Sequence, residues 1–343
     1  MAYSVLTYVL VATGVIGLVL RWYPARHNPL TAVAAFTAYL LPLPLLGVAV
    51  AAYGGQAAAF SVALFGSAVT LTQLVPRYFP SRRPSVVEDG PTWRSVIVLS
   101  ANLRLGQADA RSLVRLVEDH HVDVAMLCEL TPQARSVLAD AGLDSALPHS
   151  FAVPKDAAAG VGLWSRHPLI DTEQHKAFTF PVLSARLAGP DDATDGRRSH
   201  SGSSTKALRD GDGLGPLLLT AHMPGPWPRS PKLWHYNINH LRVLLDELAG
   251  RGDVSRSAVI VSGDFNATID SAQFRALLSA GYSDAGVECG AGLARTYPAR
   301  RRMLPPLIGI DHILLRGATA ASFRTLPLPG SDHRAVLSTV RLP

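Results

Sequence analysis

The sequence predicts an α/β protein that follows a group of apolar N-terminal helices. Three uncharged apolar runs, at about residues 3–20, 29–53 and 57–75, come first. From residue 93 onward, short strand-like runs alternate with segments of helical spacing, and several of the strand-like runs end in polar residues. Such alternation is typical of α/β folds, in which helices pack on the faces of a sheet.

Charge is distributed unevenly along the 343-residue chain. Only Arg21, Arg26 and Arg77 carry a charged side chain in the first 80 residues, and the first acidic residue is Glu88. The remainder holds 29 basic and 26 acidic residues, so the formal net charge of +6 does not indicate the basic face of a dedicated duplex-DNA-binding protein. The first 80 residues therefore differ chemically from the rest.

Each apolar run is long enough to cross about 30 Å of hydrocarbon as a helix. The short break Gly54-Gly55-Gln56 predicts a helical hairpin of the second and third runs, and Pro42 and Pro44 should kink the second helix. A cleaved signal peptide is the alternative for the first run, but no basic residue precedes it and no clear cleavage site follows it. We assign residues 1–76 to a three-helix membrane anchor and 77–92 to a linker.

The arginines that flank these runs predict an orientation in the membrane. Arg21 and Arg26 lie on the same side as Arg77, Arg82 and Arg83, whereas the turn between the second and third runs carries no charge. We expect a multi-pass protein of the cell membrane, and the positive-inside rule predicts, from the charge count alone, that its soluble part lies in the cytoplasm.

The two cysteines, Cys128 and Cys289, are too few for a disulfide framework or a zinc site. Cys128 lies in a strand-like run, where a small buried apolar residue is the usual interpretation. A single bridge between the two stays open at this point, and it would favour a soluble part outside the cell.

The soluble part contains a series of predicted strands and helices. Strands are predicted at Ser95–Leu99, Asp123–Cys128, His149–Val153, Gly160–Ser165, Phe178–Leu187, Leu217–Ala221 and Ala258–Val261, and helices at Ala108–Asp119, Pro132–Ala141 and Trp234–Leu248. Residues 189–215 are dense in Asp, Gly, Ser and Arg and almost free of large apolar side chains, which predicts a mobile insertion.

Polar residues stand at strand ends throughout this part of the chain. They are Asn102, Glu129, His222, Asp264, Asn266, Asp311, Asp332 and His333. A single acidic turn after a strand is common, so any one of these positions alone would be a weak signal. Their combination and order carry the functional hypothesis.

Three stretches, Gly263-Asp264-Phe265-Asn266, Gly309-Ile310-Asp311-His312 and Ser331-Asp332-His333-Arg334, resemble the endonuclease/exonuclease/phosphatase superfamily. The resemblance implies a four-layer α/β/β/α sandwich of the DNase I-like type, with two mixed sheets face to face, over roughly residues 93–343. It also implies hydrolysis of phosphate esters with Mg²⁺, for which Mn²⁺ is a second candidate.

The resemblance also implies the residues that bind the metal and activate water. Glu129 is the first candidate metal ligand, with Asn102 and Asp332 close by, and hard oxygen ligands of this kind suit Mg²⁺. Asp264 is expected to position or deprotonate the attacking water, and Asn266 to fix the phosphate.

Three histidines receive different interpretations. His333 is expected to bind the phosphate, with Asp311 orienting its ring through the other nitrogen. His222 is expected to protonate or stabilise the leaving group. His312, next to Asp311, should point to the opposite face of its strand and serve a structural role. Tyr297, in a Thr-aromatic-Pro turn, is expected to pack beside the site.

Departures from the family pattern leave the substrate open. Arg104 occupies a position that is acidic in the DNA-repair members, and the helix after His222 offers Trp234, Asn237 and Asn239 where many members carry an Arg and a Gln.

We expect a membrane-anchored phosphoesterase acting on a phosphodiester or phosphomonoester, with a lipid-linked or membrane-proximal substrate. A membrane-tethered nuclease is the alternative, since nucleic acid is a possible though disfavoured partner. A catalytically inactive binding module is the third hypothesis, and the retained acids and histidine disfavour it.

Overall fold

The structure of the chain is a computed structural model. It describes residues 1–24, 27–81, 95–188, 215–227, 230–250, 257–299 and 305–343. Most of the predicted linker and nearly all of the predicted mobile insertion at 189–215 lie outside the described residues.

The N-terminal part is helical. Its helices are α1 Ala2–Trp22, α2 Asn28–Ala35, α3 Thr37–Leu40, α4 Leu43–Tyr53 and α5 Ala57–Leu74, followed by a 3-10 turn at Val75–Tyr78. Among the described residues, Ala2–Trp22 and Ala57–Tyr78 are each long and apolar enough to span a membrane, and the second apolar run makes a third candidate if it is counted as one bent span.

The second apolar run breaks at two places. Leu41 and Pro42 separate α3 from α4, as the prolines predict. The larger change of direction, 65°, comes earlier, between Pro29–Ala35 and Thr37–Tyr53. Phe36 there leaves the helical conformation (φ −102°, ψ 11°). As a result, α2 does not continue the line of the helix that follows it.

The helices approach closely because small residues stand where they meet. A Cβ atom added at Gly14 of α1 would lie 2.4 Å from the ring of Pro44 in α4. Large apolar side chains instead face outward, among them Ile16, Val19 and Phe65. Many exposed apolar side chains on one group of helices are typical of a surface that contacts another protein or a membrane.

The remaining described residues form short strands and helices. The strands are β1 Ser95–Asn102, β2 Val124–Cys128, β3 His149–Val153, β4 Val161–Ser165, β5 Leu169–His175, β6 Val182–Leu187, β7 Leu217–His222, β8 Val259–Asp264, β9 Ser283–Asp284, β10 Asp311–Arg316, β11 Thr319–Pro327 and β12 Arg334–Arg341. The helices are α6 Ala110–Asp119, α7 Pro132–Asp140, α8 Leu143–Ala146, α9 Lys232–Gly250, α10 Ala272–Leu277 and α11 Ala285–Glu288.

In the described part of the chain these strands form two six-stranded sheets, with the orders β11-β12-β1-β2-β4-β3 and β5-β6-β7-β8-β10-β9. Apolar side chains from both sheets, such as Val98, Met126, Leu218 and Ile260, share one core between them. The outer face of the first sheet packs on α6 to α8, and that of the second on α9 and α10. The expected four-layer α/β/β/α sandwich is confirmed.

The strand pairing brings the predicted site residues to one edge of the sandwich. β1 runs parallel to β2, with Asn102 opposite Cys128, and β7 runs parallel to β8, with His222 opposite Asp264. β10 runs antiparallel to β8, so its first residue, Asp311, also lies opposite Asp264. Strand ends from both sheets therefore meet at this edge.

The two cysteines do not pair. Cys128 is buried and its thiol lies 3.7 Å from the carbonyl of Ala221, whereas the thiol of Cys289 lies 3.7 Å from the carbonyl of Ala320. The bridge that the sequence left open is absent, so the cysteines give no support to a location outside the cell.

A buried carboxylate links the N-terminal helices to the sandwich. Asp270, which is 1% exposed, forms ion pairs with Arg21 at the end of α1 and with Arg77 after α5. The second Arg77–Asp270 hydrogen bond is 2.9 Å long. Nearby, the guanidinium of Arg275 lies 3.8 Å from the ring centroid of Trp22.

Residues at the start of the predicted linker also contact the catalytic part. The backbone N–H of Gly292 donates to the carbonyl of Arg77 at 2.8 Å, and that of Ser81 donates to the carbonyl of Glu288 at 3.1 Å. The division into anchor, linker and catalytic domain stays a prediction, but residues 77–81 are docked on the sandwich.

We expect Asp270→Asn to lower the free energy of unfolding by roughly 3–5 kcal/mol, because two buried guanidinium groups lose their counter-charge. Urea unfolding of the full chain in detergent micelles measures this. Asp246→Asn is the matched control, because it breaks the exposed Arg242–Asp246 pair of α9, for which a change below about 0.5 kcal/mol is expected. Equal effects of the two substitutions would contradict a stabilising role for Asp270.

Candidate active site

The side-chain amide of Asn102 connects two carboxylates at the edge where the sheets meet. Its nitrogen donates to Glu129 Oε1 at 3.0 Å and to Asp264 Oδ2 at 2.9 Å. Its oxygen accepts the backbone N–H of Arg104 at 2.8 Å. Asn102 is 1% exposed, so both of its polar atoms are satisfied inside the protein and its orientation is fixed.

Glu129 reaches this position through an uncommon backbone conformation. It follows the end of β2 with φ 56°, in the left-handed region that non-glycine residues seldom adopt. The backbone N–H of Leu105 donates to its Oε2 at 2.6 Å, and its side chain is 16% exposed. The turn aims a partly solvent-accessible carboxylate at Asn102. This position suits a metal ligand, because the bound cation must exchange with solvent.

Asp264, by contrast, is almost completely buried, at 1% exposed. The backbone N–H of Asn266 donates to its Oδ1 at 2.8 Å. Two imidazole nitrogens face its Oδ2, with His222 Nε2 at 3.7 Å and His333 Nε2 at 3.8 Å. The glycine before it permits this arrangement, because a Cβ on Gly263 would lie 1.8 Å from the carbonyl oxygen of Ala221 on β7.

Hydrogen bonds hold both histidine rings. His333 Nδ1 lies 2.9 Å from Asp311 Oδ2, and His222 Nδ1 lies 2.9 Å from the carbonyl oxygen of Ala158. Because a carbonyl oxygen only accepts hydrogen bonds, Nδ1 of His222 carries a proton. The other ring nitrogen, Nε2, faces Asp264 and Glu129. The expected contact between Asp311 and His333 is present in the structure.

The charges in this site shift two pKa values. Burial and then the Asp311 carboxylate raise the pKa of Asp264 to about 6, against the opposing charges of His333 and His222. Burial alone would lower the pKa of His333, but Asp311 and Asp264 raise it to about 10. At neutral pH, His333 is therefore a cation, while Asp264 is close to its titration range.

The donor set fits a divalent cation. The buried Asp311 carboxylate stands close enough to disfavour the charge on Asp264, and a cation would relieve that repulsion. Glu129 adds a hard oxygen donor of the type Mg²⁺ prefers, whereas Asn102 turns its nitrogen toward the carboxylates and its oxygen toward the N–H of Arg104. Within the described residues, the ligand atoms that lie within 4.8 Å of one another belong to Asp264, Asp311 and His333.

That group differs from the predicted ligands Asn102, Glu129 and Asp332. Asp332 is 8% exposed, and its carboxylate is one of the charges that raise the pKa of His333. The structure thus places Asp332 beside the site, and the assignment of individual ligands stays a prediction.

The other predicted positions lie as follows. The side-chain amide of Asn266 donates to the carbonyl of Met223 at 2.9 Å, which holds it next to Asp264. The ring of Tyr297 packs on that of His333, with centroids 4.8 Å apart. His312 points away from the site, where its nitrogens contact Asp284 at 2.8 Å and the carbonyl of Ala267 at 2.9 Å.

Ser331 is a residue that sequence reasoning did not single out. Its hydroxyl donates to the carbonyl of Asn102 at 2.7 Å and accepts the backbone N–H of His333 at 3.0 Å. It thereby fastens the loop that carries His333 to the strand that carries Asn102. Its place two residues before His333 was the available signal, but a serine in a turn has many ordinary explanations.

Residues 99–333 match the sequence profile described as the Endonuclease/Exonuclease/phosphatase family. The chain belongs to this family. Members are metal-dependent hydrolases of phosphate ester bonds, and this chain is a metal-dependent hydrolase of that kind. No curated protein matches the sequence.

Solved structures share the fold of this family member. A humanised TDP2 from D. rerio is 18% identical with a TM-score of 0.52, and it covers 72% of this chain and 99% of its own. The mannosyl-6-phosphatase of Bacteroides thetaiotaomicron is 17% identical with a TM-score of 0.52, at 72% and 99% coverage. An AP endonuclease from Archaeoglobus fulgidus is 12% identical with a TM-score of 0.54, at 71% and 98% coverage. These likenesses concern the fold.

The raised pKa of His333 predicts how metal-free stability depends on pH. The folded-state pKa of about 10 lies above the ordinary value of 6.5, so this group stabilises the fold fully below pH 6.5 and loses that contribution as pH rises through about 10. The pKa of Asp264 is also raised, from 3.8 to about 6. Its effect on the free energy of unfolding falls between these two values, where rising pH also reduces stability.

Thermal unfolding of the full chain in EDTA, for wild type and His333→Gln, measures the contribution of His333. We expect the wild type to lose its advantage over the variant between pH 6.5 and 10. A difference between the two proteins that stays constant across that range would contradict a protonated His333.

Proposed function

We propose that the chain is a membrane-anchored, Mg²⁺-dependent phosphoesterase whose substrate is lipid-linked or membrane-proximal. The observation that carries the proposal is the position of Asp270. It belongs to the segment that follows β8, six residues after Asp264, and it binds Arg21 and Arg77 at the ends of two apolar helices. The segment that carries Asp264 and Asn266 is thus the segment that holds the anchor.

Glu129 and Asn102 would hold the cation, together with the buried carboxylates beside them. When bound, Mg²⁺ neutralises charge on the phosphate oxygens and orients the ester. Manganese has the same preference for oxygen ligands and is the second candidate.

Asp264 has the properties of the group that orients and deprotonates water. Its pKa of about 6 leaves it largely ionised at neutral pH while keeping it a stronger base than an ordinary aspartate. The Asn266 N–H that binds its Oδ1 holds the carboxylate in one orientation. One N–H of the Asn266 side-chain amide donates to the carbonyl of Met223. The other N–H would donate to a phosphate oxygen.

The two histidines act on the phosphate. Protonated His333 presents Nε2–H to a non-bridging oxygen, while Asp311 fixes the ring through Nδ1. His222 approaches from the side of Ala158 and Glu129, and in its protonated form it donates to the oxygen of the leaving group. Water attack on phosphorus breaks the bond to that oxygen, which leaves with the proton.

The proposal includes a multi-pass location in the cell membrane with the catalytic part in the cytoplasm. The end of α1 and the end of α5 both reach Asp270, so they emerge on the same side as the catalytic part. Those ends carry Arg21 and Arg77, which the positive-inside rule assigns to the cytoplasm.

We expect Asp264→Asn to reduce turnover about 10²- to 10⁴-fold, because the variant keeps the shape of the side chain and loses the base. Hydrolysis of bis-p-nitrophenyl phosphate and p-nitrophenyl phosphate by the full chain in detergent, with and without Mg²⁺, measures this and separates diesterase from monoesterase activity. Near-wild-type turnover of both esters by Asp264→Asn would contradict the assignment of Asp264 as the base. Faster hydrolysis of DNA or RNA than of any small ester would favour a tethered nuclease.

A second pair of variants separates metal binding from phosphate binding. Glu129→Gln should lose activity that partly returns at high Mg²⁺, because it weakens a metal ligand, whereas His333→Ala should lose activity without such rescue. Glu118→Gln, on the exposed face of α6, is the matched control and should behave as wild type. Metal rescue of His333→Ala, or none for Glu129→Gln, would contradict these roles.

The orientation predicts that protease added to intact cells leaves the catalytic part uncut, and that it is cut once the membrane is permeabilised. Immunodetection of the C-terminal fragment measures this, with a known external domain as the control. Digestion from outside would overturn the cytoplasmic assignment.

A further inference from the structure

A cavity of about 340 Å³ lies between the anchor and the catalytic part, which we call the interface cavity. Thr31, Ala35 and Phe36, from α2 and the break that follows it, line one wall. Trp227, Leu307 and Ile308 line the opposite wall. Its volume falls within the range of roughly 300–1,000 Å³ that is usual for sites of small organic ligands.

The walls of the interface cavity are uncharged and mostly apolar, with polar side chains at Thr268, Ser271 and Gln273. Among the described residues that line it there is no Asp, Glu, Lys or Arg. Three large apolar side chains that line it are partly exposed, with Trp227 at 63%, Leu307 at 42% and Phe36 at 38%. Such exposure in a concave surface is typical of a ligand site.

One end of the interface cavity leads into the active site. Asn266 and Tyr297 both line it. The backbone of Asn266 binds the Asp264 carboxylate, and the Tyr297 ring packs on His333. A molecule that filled the cavity would therefore extend directly to the group that receives the phosphate.

The other boundary of the interface cavity belongs to the membrane segment. α2 is the first part of the second apolar run, and it is turned by 65° from the rest of that run. The next helix, α3, contacts the catalytic part directly, because the Tyr39 hydroxyl donates to the carbonyl of Leu307 at 2.6 Å. A path from the apolar helices to the active site thus runs along α2.

We propose that the interface cavity holds the hydrocarbon part of a lipid phosphate ester taken from the bilayer, with the phosphate at His333 and Asn266. This inference rests on the proposed function, since the phosphate of the lipid is the group that is hydrolysed. It names the substrate class through an apolar cavity that is continuous with both the anchor and the catalytic residues.

The test uses the full chain at fixed detergent concentration and a series of p-nitrophenyl alkyl phosphates with methyl, hexyl and dodecyl chains. In the wild type, kcat/KM should rise with chain length, by up to about fourfold per buried methylene, and then level off. Ala35→Phe fills the cavity from the α2 wall and should remove the dependence on chain length while leaving the methyl ester unaffected.

Val33→Phe is the matched control, because Val33 is an exposed residue of the same helix that does not line the interface cavity. Partition of long chains into micelles affects both variants equally. If Ala35→Phe and Val33→Phe retain the same chain-length dependence, the proposal is overturned. If Ala35→Phe weakens only the hydrolysis of dinucleotide esters, the cavity binds a base, which also overturns it. Should Ala35→Phe fail to fold, Ala32→Phe on the same wall replaces it.

A binding measurement shows whether this inference or the proposed function has failed. Brominated dodecyl phosphate should quench the fluorescence of Trp227, as judged by the difference between wild type and Trp227→Phe, and Ala35→Phe should reduce this quenching. Quenching without hydrolysis of any ester would leave the cavity assignment supported and reject the phosphoesterase. Hydrolysis of the methyl ester without quenching would do the reverse.

Discussion

One side-chain amide joins the two sheets of this protein at the point where its chemistry is expected. Asn102 belongs to β1 of the first sheet, and its nitrogen binds Asp264 at the end of β8 in the second sheet as well as Glu129. Carboxylates that share a buried edge repel each other, and a donor to both offsets part of that repulsion. This contact links the two sheets at the edge where both histidines lie.

The sequence predicted those elements whose apolar pattern is continuous. β2 and β8 are buried along their whole length, and their runs of Val, Ile, Leu and Ala are typical of such strands. β5, Leu169–His175, was not predicted, because it lies at a sheet edge and most of its side chains are polar and exposed. β6 begins at Val182 and not at Phe178, since Pro181 before it lacks an N–H for the sheet.

Contacts between distant parts of the chain were beyond sequence reasoning. Asp270 carries no local signal, because its importance comes from Arg21 and Arg77, which are 249 and 193 positions away. The bend at Phe36 was likewise missed, because Phe36 is one apolar residue among many in the second apolar run. The site residues were expected through a family pattern. Ser331 belongs to one of the stretches in that pattern, but its contact with β1, which fastens the His333 loop, depends on a residue 229 positions away.

The ion pairs of Asp270 also determine how the catalytic part moves. A domain joined to its anchor by a flexible linker alone samples a wide hemisphere around the attachment point. Here Arg21 and Arg77 bind the same carboxylate from two different helices, so the sandwich is attached at more than one point and has little freedom to rotate. The ion pairs therefore favour one orientation of the active site relative to the apolar helices.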